Sequence, residues 1–242
     1  AVAAVLDRII SVEGSQASPV RDVTFHGLRF AHIAPHYLGP YPTCGGGDFC
    51  AARAGVVVIE GAERVVVDGC LFDQPGGNGV AVSNYNRNTT ISNNHLKQLG
   101  EVGIALIGST DLINATGGNF PMSTKISGNL IHEVATKLRG GSFFFQSMAA
   151  NTELSGNVAF NGPRAGVNFN DGMAGGNEVH NNLIFNFVRE SSDHGNENSW
   201  DRVPFLTLNA FKNGTASLQP AWTSNHHNFW LLPNFGSNID VR

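Results

Sequence analysis

The sequence is poor in charge and in long apolar runs. Charged residues make up 14% of the 242 positions, and the formal net charge is −4. Without a surplus of lysine and arginine there is no basic surface to neutralise a phosphate backbone, so we expect no nucleic acid partner. No stretch of about 18 apolar residues is present, and the sequence therefore predicts no membrane span.

Motifs for cofactors, metals and nucleophilic serines are also missing. The chain has no Gly-rich phosphate loop, no nucleophile elbow and no zinc-binding helix motif, so we expect no cofactor and no metal. It opens with AVAAVLDRII, without the basic segment of a signal peptide. We interpret the chain as one domain, residues 1–242, cut from a longer secreted protein.

Cysteine is scarce, with three residues in the chain. Cys44 and Cys50 flank the flexible segment CGGGDFC and can close a short disulfide. A metal site at these two is the weaker alternative, because no CxxC motif or histidine pair accompanies them. Cys70 lies among apolar residues and is predicted to be a buried thiol.

Three N-glycosylation sequons begin at Asn88, Asn114 and Asn213. Such sequons also arise by chance in an Asn-rich chain. Together with the possible disulfide they favour a secreted or extracellular location.

Glycine and asparagine are abundant, with 29 Gly and 26 Asn, and every Asn lies after position 77. Both residues favour turns and left-handed backbone and disfavour long helices. The composition therefore indicates a chain of short strands and turns.

A repeat of about two dozen residues organises the chain. One segment places an apolar strand before a Gly or Asn turn and a second apolar strand after it; its copies are VTFHGLRF (23–30), VVVDGCLF (65–72), TTISNNHL (89–96), TKISGNLI (124–131), TELSGNVA (152–159) and NEVHNNLI (177–184). One turn position in these copies holds Leu28, Cys70, Asn94, Asn129, Asn157 and Asn182.

Another apolar strand recurs between these copies, as GVVVIE, GVAVSN, GIALIG, SFFFQS and GVNFND. Coils of two or three short strands bury their inner face when they stack, and equivalent asparagines can then hydrogen-bond along the stack. The repeat predicts an all-β fold, a right-handed parallel β-helix of about 24-residue coils. Projecting loops are expected at 31–54, 108–122 and 186–203, where solenoids often bind ligands.

The stretch SSDHGNENSWDR (191–202) is the densest polar segment. Glycoside cleavage needs two carboxyl groups about 5 to 10 Å apart, and coils stack about 4.8 Å apart. Asp171 precedes Asp193 by 22 residues, close to one coil, and Asp201 follows eight residues later. We predict that two of these three aspartates are catalytic. Candidate substrate-binding residues are His194, Glu197, Trp200, Arg202 and Arg164.

A structural role is the alternative for the same residues. Asp171 precedes a glycine, and aspartates in such turns usually accept backbone N–H hydrogen bonds. An ion pair of Asp193 with Arg202, or of Asp201 with Arg189, would brace a long loop. The sequence leaves both interpretations open.

Residues 161–202 resemble the last coils of right-handed β-helix proteins of the pectate-lyase-like superfamily, nearest to glycoside hydrolase family 141. The resemblance rests on an Asn-rich coil, an E-x-x-D-x-G loop and an Arg/Asp/Trp cluster, here Glu190, Asp193, Gly195, Trp200, Asp201 and Arg202. It implies a polysaccharide-directed enzyme with Asp193 and Asp201 as acid/base and nucleophile.

We therefore expect an extracellular carbohydrate-active protein, a glycoside hydrolase that uses paired aspartates on a polysaccharide. The alternative is a non-catalytic structural glycoprotein that associates end to end into filaments or joins flanking domains. A polysaccharide lyase ranks lower, because no lysine or calcium-type Asp cluster stands out.

Overall fold

The computed structural model describes residues 4–36, 39, 51–109, 117–170, 175–191, 194–199 and 222–231, and the backbone of 239–241. These residues contain no helix that could span a membrane. Their strands are β1 (Ile10–Glu13), β2 (Val20–Arg21), β3 (Thr24–His26), β4 (Arg29–Ala31), β5 (Val57–Glu63), β6 (Val66–Asp68), β7 (Leu71–Asp73), β8 (Val80–Arg87), β9 (Thr90–Ser92), β10 (His95–Lys97), β11 (Ile104–Ile107), β12 (Pro121–Met122), β13 (Lys125–Ser127), β14 (Leu130–His132), β15 (Phe144–Ser147), β16 (Glu153–Ser155), β17 (Val158–Phe160), β18 (Val167–Phe169), β19 (Asn177–His180), β20 (Leu183–Phe185), β21 (Glu197–Ser199), β22 (Thr223–His226), β23 (Phe229–Leu231) and β24 (Ile239–Val241).

The strands form three parallel sheets. Sheet A runs β1-β5-β8-β11-β15-β18-β21-β24, with β2 beside β5 and β12 beside β8. Sheet B runs β3-β6-β9-β13-β16-β19-β22, and sheet C runs β4-β7-β10-β14-β17-β20-β23. Each coil of the chain contributes one strand to sheet B, then to sheet C, then to sheet A. This arrangement confirms the predicted parallel β-helix.

The core is a continuous apolar column inside the coils. Sheet B contributes Ile126, sheet C contributes Ile131 and sheet A contributes Phe144, all fully buried in the same cluster. The side chains alternate between the interior and the outer face of each strand because successive residues of a strand point to opposite faces. Phe145 consequently packs on the outer face of sheet A, in a second cluster with Ala51, Val102, Ala105 and Ile107.

The turn between sheets B and C carries a ladder of asparagines, as the repeat predicted. The backbone N–H of Asn129 donates to Oδ1 of Asn157 at 3.0 Å, and the N–H of Asn157 donates to Oδ1 of Asn182 at 2.9 Å. Nδ2 of Asn157 donates to the same Asn182 oxygen and to the carbonyl of Ile126. The ladder runs through Asn94, Asn129, Asn157, Asn182 and Asn228.

The residue before each ladder position has left-handed backbone. Gly128 has φ +66° and Gly156 has φ +62°, values that glycine adopts without a Cβ clash. Asn93 and Asn181 fill the same place in other coils, and asparagine tolerates this region better than most residues. The Gly/Asn-then-Asn pattern of the sequence is therefore the local requirement of this turn.

Cys70 begins the ladder and is a free, buried thiol, as predicted. Its backbone N–H donates to Oδ1 of Asn94 at 2.9 Å, and its Sγ donates to the carbonyl of Asp68 at 3.3 Å. The pair Cys44 and Cys50 lies outside the described residues, and its disulfide stays a prediction.

We call the turns that lead from sheet C to sheet A the C–A edge. Among the described residues they comprise 74–79, 98–103, 133–143, 161–166, 186–191 and 194–196. Their first residues form a column with left-handed backbone, Gln74, Gln98, Glu133, Asn161 and Asn186. The same edge therefore carries both short turns and the loops that project from the later coils.

The ladder predicts a large loss of stability for Asn157→Ala. The substitution removes the acceptor of the buried backbone N–H of Asn129, and it removes one hydrogen bond each from the Asn129 side-chain amide and the carbonyl of Ile126. We therefore expect the free energy of unfolding to fall by about 3 kcal/mol or more. Urea unfolding followed by circular dichroism measures this change. Asn88→Gly is the control, because Asn88 is exposed with φ +55°, and it should change stability by less than about 0.5 kcal/mol. Equal losses in both variants would contradict the role of the ladder.

Candidate active site

The predicted aspartates lie outside the described residues. This holds for Asp171, Asp193 and Asp201, and also for Trp200 and Arg202. Among the predicted substrate-binding residues, Arg164, His194 and Glu197 are described.

The structure brings Arg164 and His194 together across 30 residues of chain. Arg164 lies in the C–A turn after β17, and His194 lies in the next C–A turn, after β20. Nε of Arg164 donates to Nε2 of His194 at 3.0 Å, and the Arg164 Nη2 lies 2.6 Å from the same nitrogen. Arginine is always a donor, so Nε2 of His194 acts as the acceptor.

The other ring nitrogen of His194 is also engaged. Nδ1 lies 3.0 Å from Oγ of Ser191, and the side chain is buried with 6% of the residue exposed. With Nε2 accepting, a neutral imidazole carries its proton on Nδ1 and donates to the serine hydroxyl. The geometry therefore fixes both the orientation and the tautomer of this ring.

The loops at this edge are joined by further polar contacts. Nη1 of Arg139, in the C–A turn of the preceding coils, lies 3.1 Å from Oε1 of Glu190. The backbone N–H of Glu190 donates to the carbonyl of Pro163 at 2.8 Å. Glu190, part of the acidic motif in the sequence, thus pairs with a neighbouring loop.

Glu197 points into the interior of the coil. Its register partner in β18 is Val167, a residue of the apolar core, and only 4% of Glu197 is exposed. Burial raises the pKa of the Glu197 carboxyl to about 7. The side-chain amide of Asn225 donates to Oε2 of Glu197, and this hydrogen bond lowers the pKa by a smaller amount. Its predicted role in substrate binding is not tested by this placement and stays a prediction.

The outer face of sheet A changes from apolar to polar between β15 and β21. Phe145, Asn168 and Asn198 are register partners on β15, β18 and β21. Nδ2 of Asn198 donates to Oδ1 of Asn168 at 2.9 Å, and both residues are buried. Asp171 and Asp201 follow these two strands in the sequence, each two residues beyond the strand end.

A cleft at the C–A edge was not predicted from the sequence. This cleft has a volume of about 500 Å³ and is lined by Gln74, Pro75, Gly76, Gln98, Gly100, Glu133, Thr136 and Lys137. The signal was present, because Gln74, Gln98 and Glu133 follow the second strand of three successive repeat copies. Polar residues at such turns are common, so the pattern alone did not distinguish a cleft from a solvated corner.

The three N-glycosylation candidates stay predictions. Asn88 is exposed, whereas Asn114 and Asn213 lie outside the described residues. Nδ1 of His226 and Nδ1 of His227 lie 2.8 Å apart. Across residues 4–36, 51–109, 117–170 and the later described segments, no three His, Cys, Asp or Glu side chains are grouped to hold a metal.

Comparison with known proteins gives the family. A family model described as "Right handed beta helix region" matches residues 8–184. The chain belongs to the right-handed β-helix family. This membership agrees with the predicted superfamily and with the three stacked parallel sheets.

One solved structure, described as "Glycoside hydrolase", is similar to the chain with a TM-score of 0.69 and 16% sequence identity. The match covers 80% of this chain and 39% of the hydrolase, so the chain spans about two fifths of that protein's length. At this identity the likeness shows the fold alone. No curated protein matches the sequence.

The buried carboxyl predicts a pH-dependent stability that Glu197→Gln removes. The pKa of Glu197 is raised from 4.5 to about 7 by burial, so its protonated form is the one the fold prefers. Its stabilising contribution is complete below pH 4.5 and is lost as the pH rises through about 7, at a cost of about 3 kcal/mol by pH 8. The Gln variant should be the more stable protein at pH 8 and similar at pH 4.5, as measured by urea unfolding.

Glu13→Gln, on the exposed side of β1, is the matched control. It should keep the pH profile of the wild type. A Glu197→Gln profile that parallels the wild type at both pH values would show that this carboxyl does not titrate in the interior.

Proposed function

We propose that this protein is a carbohydrate-active enzyme, a secreted glycoside hydrolase that cleaves a polysaccharide with two aspartates. The single observation that carries the proposal is the register of β18 and β21. Phe169 and Ser199 end these neighbouring strands and are register partners. Asp171 and Asp201 each follow two residues later in the sequence.

The spacing of adjacent coils suits this chemistry. Equivalent positions on adjacent parallel strands are about 4.8 Å apart. Retaining glycosidases hold their two carboxyl groups about 5 to 5.5 Å apart. We therefore infer that Asp171 and Asp201 are the pair and that the reaction retains the anomeric configuration. Asp193 with either of them is the alternative pair, in line with the resemblance of the E-x-x-D-x-G loop.

One carboxyl group would act as the general acid and the other as the nucleophile. One stays protonated, because its charged neighbour disfavours a second charge nearby, and it protonates the glycosidic oxygen. The other attacks the anomeric carbon and forms a covalent glycosyl-enzyme. The first carboxylate then takes a proton from water, and that water releases the sugar.

Arg164 would act as a binding group for the sugar chain, and His194 would position it. The guanidinium carries a fixed positive charge, and the buried His194 ring contacts it through Nε2 while its Nδ1 contacts Ser191. The buried residues Asn168 and Asn198 precede the two aspartates in the sequence. A guanidinium can orient sugar hydroxyls through hydrogen bonds.

The proposal predicts loss of cleavage in the aspartate variants. Reducing-end release is measured on a panel of plant, algal and bacterial polysaccharides for the wild type, Asp171→Asn, Asp193→Asn and Asp201→Asn. Each variant of the catalytic pair should lose activity by about 100-fold or more while keeping its circular dichroism spectrum. Asp7→Asn, on the exposed N-terminal segment, is the control and should retain activity.

Two results would overturn the proposal. One is undiminished release by all three aspartate variants. The other is no release by the wild type from any polysaccharide of the panel.

A structural function is the second candidate, and it is favoured by the last coil. In the described strands β22 pairs with β19 alone and β23 with β20 alone. Trp222 and Phe229 are 48% and 60% exposed on this coil. Exposed apolar side chains of this size promote association of one solenoid with another. Light scattering that rises steeply with concentration, together with filaments in electron micrographs, would support this alternative.

A further inference from the structure

The cleft at the C–A edge is built from three stacked turns and one loop. Gln74 and Gln98 form its floor with Pro75, Gly76 and Gly100, and Glu133, Thr136 and Lys137 form one wall. The wall is fixed to the floor, because the backbone N–H groups of Thr136 and Lys137 donate to the carbonyls of Leu99 and Gly100 at 2.9 and 3.0 Å. Its volume of about 500 Å³ lies within the range of ligand sites in proteins.

Several polar side chains in the cleft have donors or acceptors that can hydrogen-bond a ligand. Within the described residues, the side-chain amides of Gln74 and Gln98 and the ammonium group of Lys137 take part in no hydrogen bond or ion pair, and all three are exposed. Oε1 of Glu133 accepts from Nδ2 of Asn161, and its second oxygen accepts from no described residue. The hydroxyl of Thr136 donates to the carbonyl of Leu99 at 3.0 Å, which leaves its lone pairs as acceptors.

The hydrogen-bond donors and acceptors that line the cleft indicate which class of ligand it can bind. Two amides and an ammonium donate, while two amide oxygens, a carboxylate and a hydroxyl accept. Sugar hydroxyls both donate and accept, and they match such a lining. Glu133 and Lys137 carry opposite charges, so the lining has no net charge and favours a neutral ligand over an anion or a cation. The eight lining residues include no aromatic ring on which a nucleobase would stack.

The cleft lies on the same edge as the pair Arg164 and His194. The column that begins with Gln74 and Gln98 continues through Glu133, Asn161 and Asn186. Nδ2 of Asn161 donates to Glu133, and Nδ2 of Asn186 donates to Oδ1 of Asn161. From Gln98 to Asn186 this column crosses three coil spacings, or about 14 Å. A chain molecule lying along the axis would thus span both places.

We propose that this cleft is a remote binding subsite for neutral glycosyl units of a long polysaccharide. The identity of the polymer as the substrate rests on the proposed function, whereas the binding itself does not require cleavage. One part of the polymer occupies the cleft while another part reaches the C–A turns with Arg164 and His194. The subsite therefore raises the affinity for long chains and contributes little to short ones.

The test removes the two amides without straining the backbone. Gln74 has φ +57° and Gln98 has φ +55°, values that glycine adopts freely, so Gln74→Gly/Gln98→Gly should fold normally. Gln16→Ala is the control, since Gln16 is an exposed glutamine outside the cleft. Binding is measured by isothermal titration calorimetry and affinity electrophoresis. The ligands are neutral polysaccharides, their short oligosaccharides and uronic acid polymers.

We expect the wild type and Gln16→Ala to bind a neutral polysaccharide equally. The double variant should bind it about 10-fold more weakly, as the loss of two hydrogen bonds implies. Its affinity for short oligosaccharides at the turns with Arg164 and His194 should stay within about 2-fold of the wild type. Where cleavage is detected, KM for long chains should rise while kcat stays constant.

Equal affinity of the double variant and the wild type for the neutral polymer would overturn the subsite. Binding of uronic acid polymers alone, or binding of no polysaccharide, would also overturn it. The two proposals fail separately. Binding that depends on Gln74 and Gln98 without any cleavage refutes the hydrolase and keeps the subsite, whereas cleavage unaffected in the double variant does the reverse.

Discussion

The hydrogen-bonded asparagine ladder is the constraint on which the rest of this structure depends. From Asn94 to Asn182, each ladder side chain uses its oxygen for the previous coil and its nitrogen for the next coil and for a strand carbonyl. A buried amide that satisfies all its donors and acceptors in this way fits one position only, because any shift would leave polar groups unpaired. The ladder therefore fixes the register of the turn from coil to coil, and the paired strands of sheets B and C on either side share that register.

Fixed register is also what allows residues far apart in sequence to meet. Arg164 and His194 are 30 residues apart, yet they occupy the same edge of consecutive coils and touch. The turns between sheets B and C hold the ladder and are short, whereas the C–A edge accepts longer loops and larger polar side chains. The turns between sheets B and C therefore stabilise the coil, whereas the turns of the C–A edge carry the proposed binding residues. The outer face of sheet A also changes along the stack. It carries the apolar cluster around Phe145 on β15 and the hydrogen-bonded pair Asn168 and Asn198 on β18 and β21.

The fold was predictable from the sequence because each repeated residue type meets a physical requirement of the β-helix coil. The asparagine column, the preceding Gly or Asn and the alternating apolar residues each specify one feature of the coil. The segment HHNFWLL repeats this pattern and adds one more ladder turn, at Asn228. In the recurring strand SFFFQS, Phe144 packs in the core and Phe145 on the outer face. A short strand such as β21 was not predicted, since Glu197 and Asn198 are polar and its burial arises from neighbouring coils.

The site was less predictable than the fold. Contacts between Arg164 and His194 depend on loop lengths that the repeat does not encode. Glu197 points into the interior because it lies in β21, a strand that the sequence pattern does not predict. The cleft depends on a loop that folds back over the preceding turn, where backbone hydrogen bonds from Thr136 and Lys137 hold it and no sequence motif signals them.

The most direct test of the central claim is proton NMR of a polysaccharide during digestion by the wild-type protein. The proposed pair predicts new reducing-end anomeric signals, and the first anomer to appear should have the configuration of the cleaved bond, because two carboxyl groups at equivalent positions of adjacent coils would be about 5 Å apart. Signals of an unsaturated sugar would show elimination instead of hydrolysis. Those signals, or an unchanged spectrum on every polysaccharide, would contradict the account.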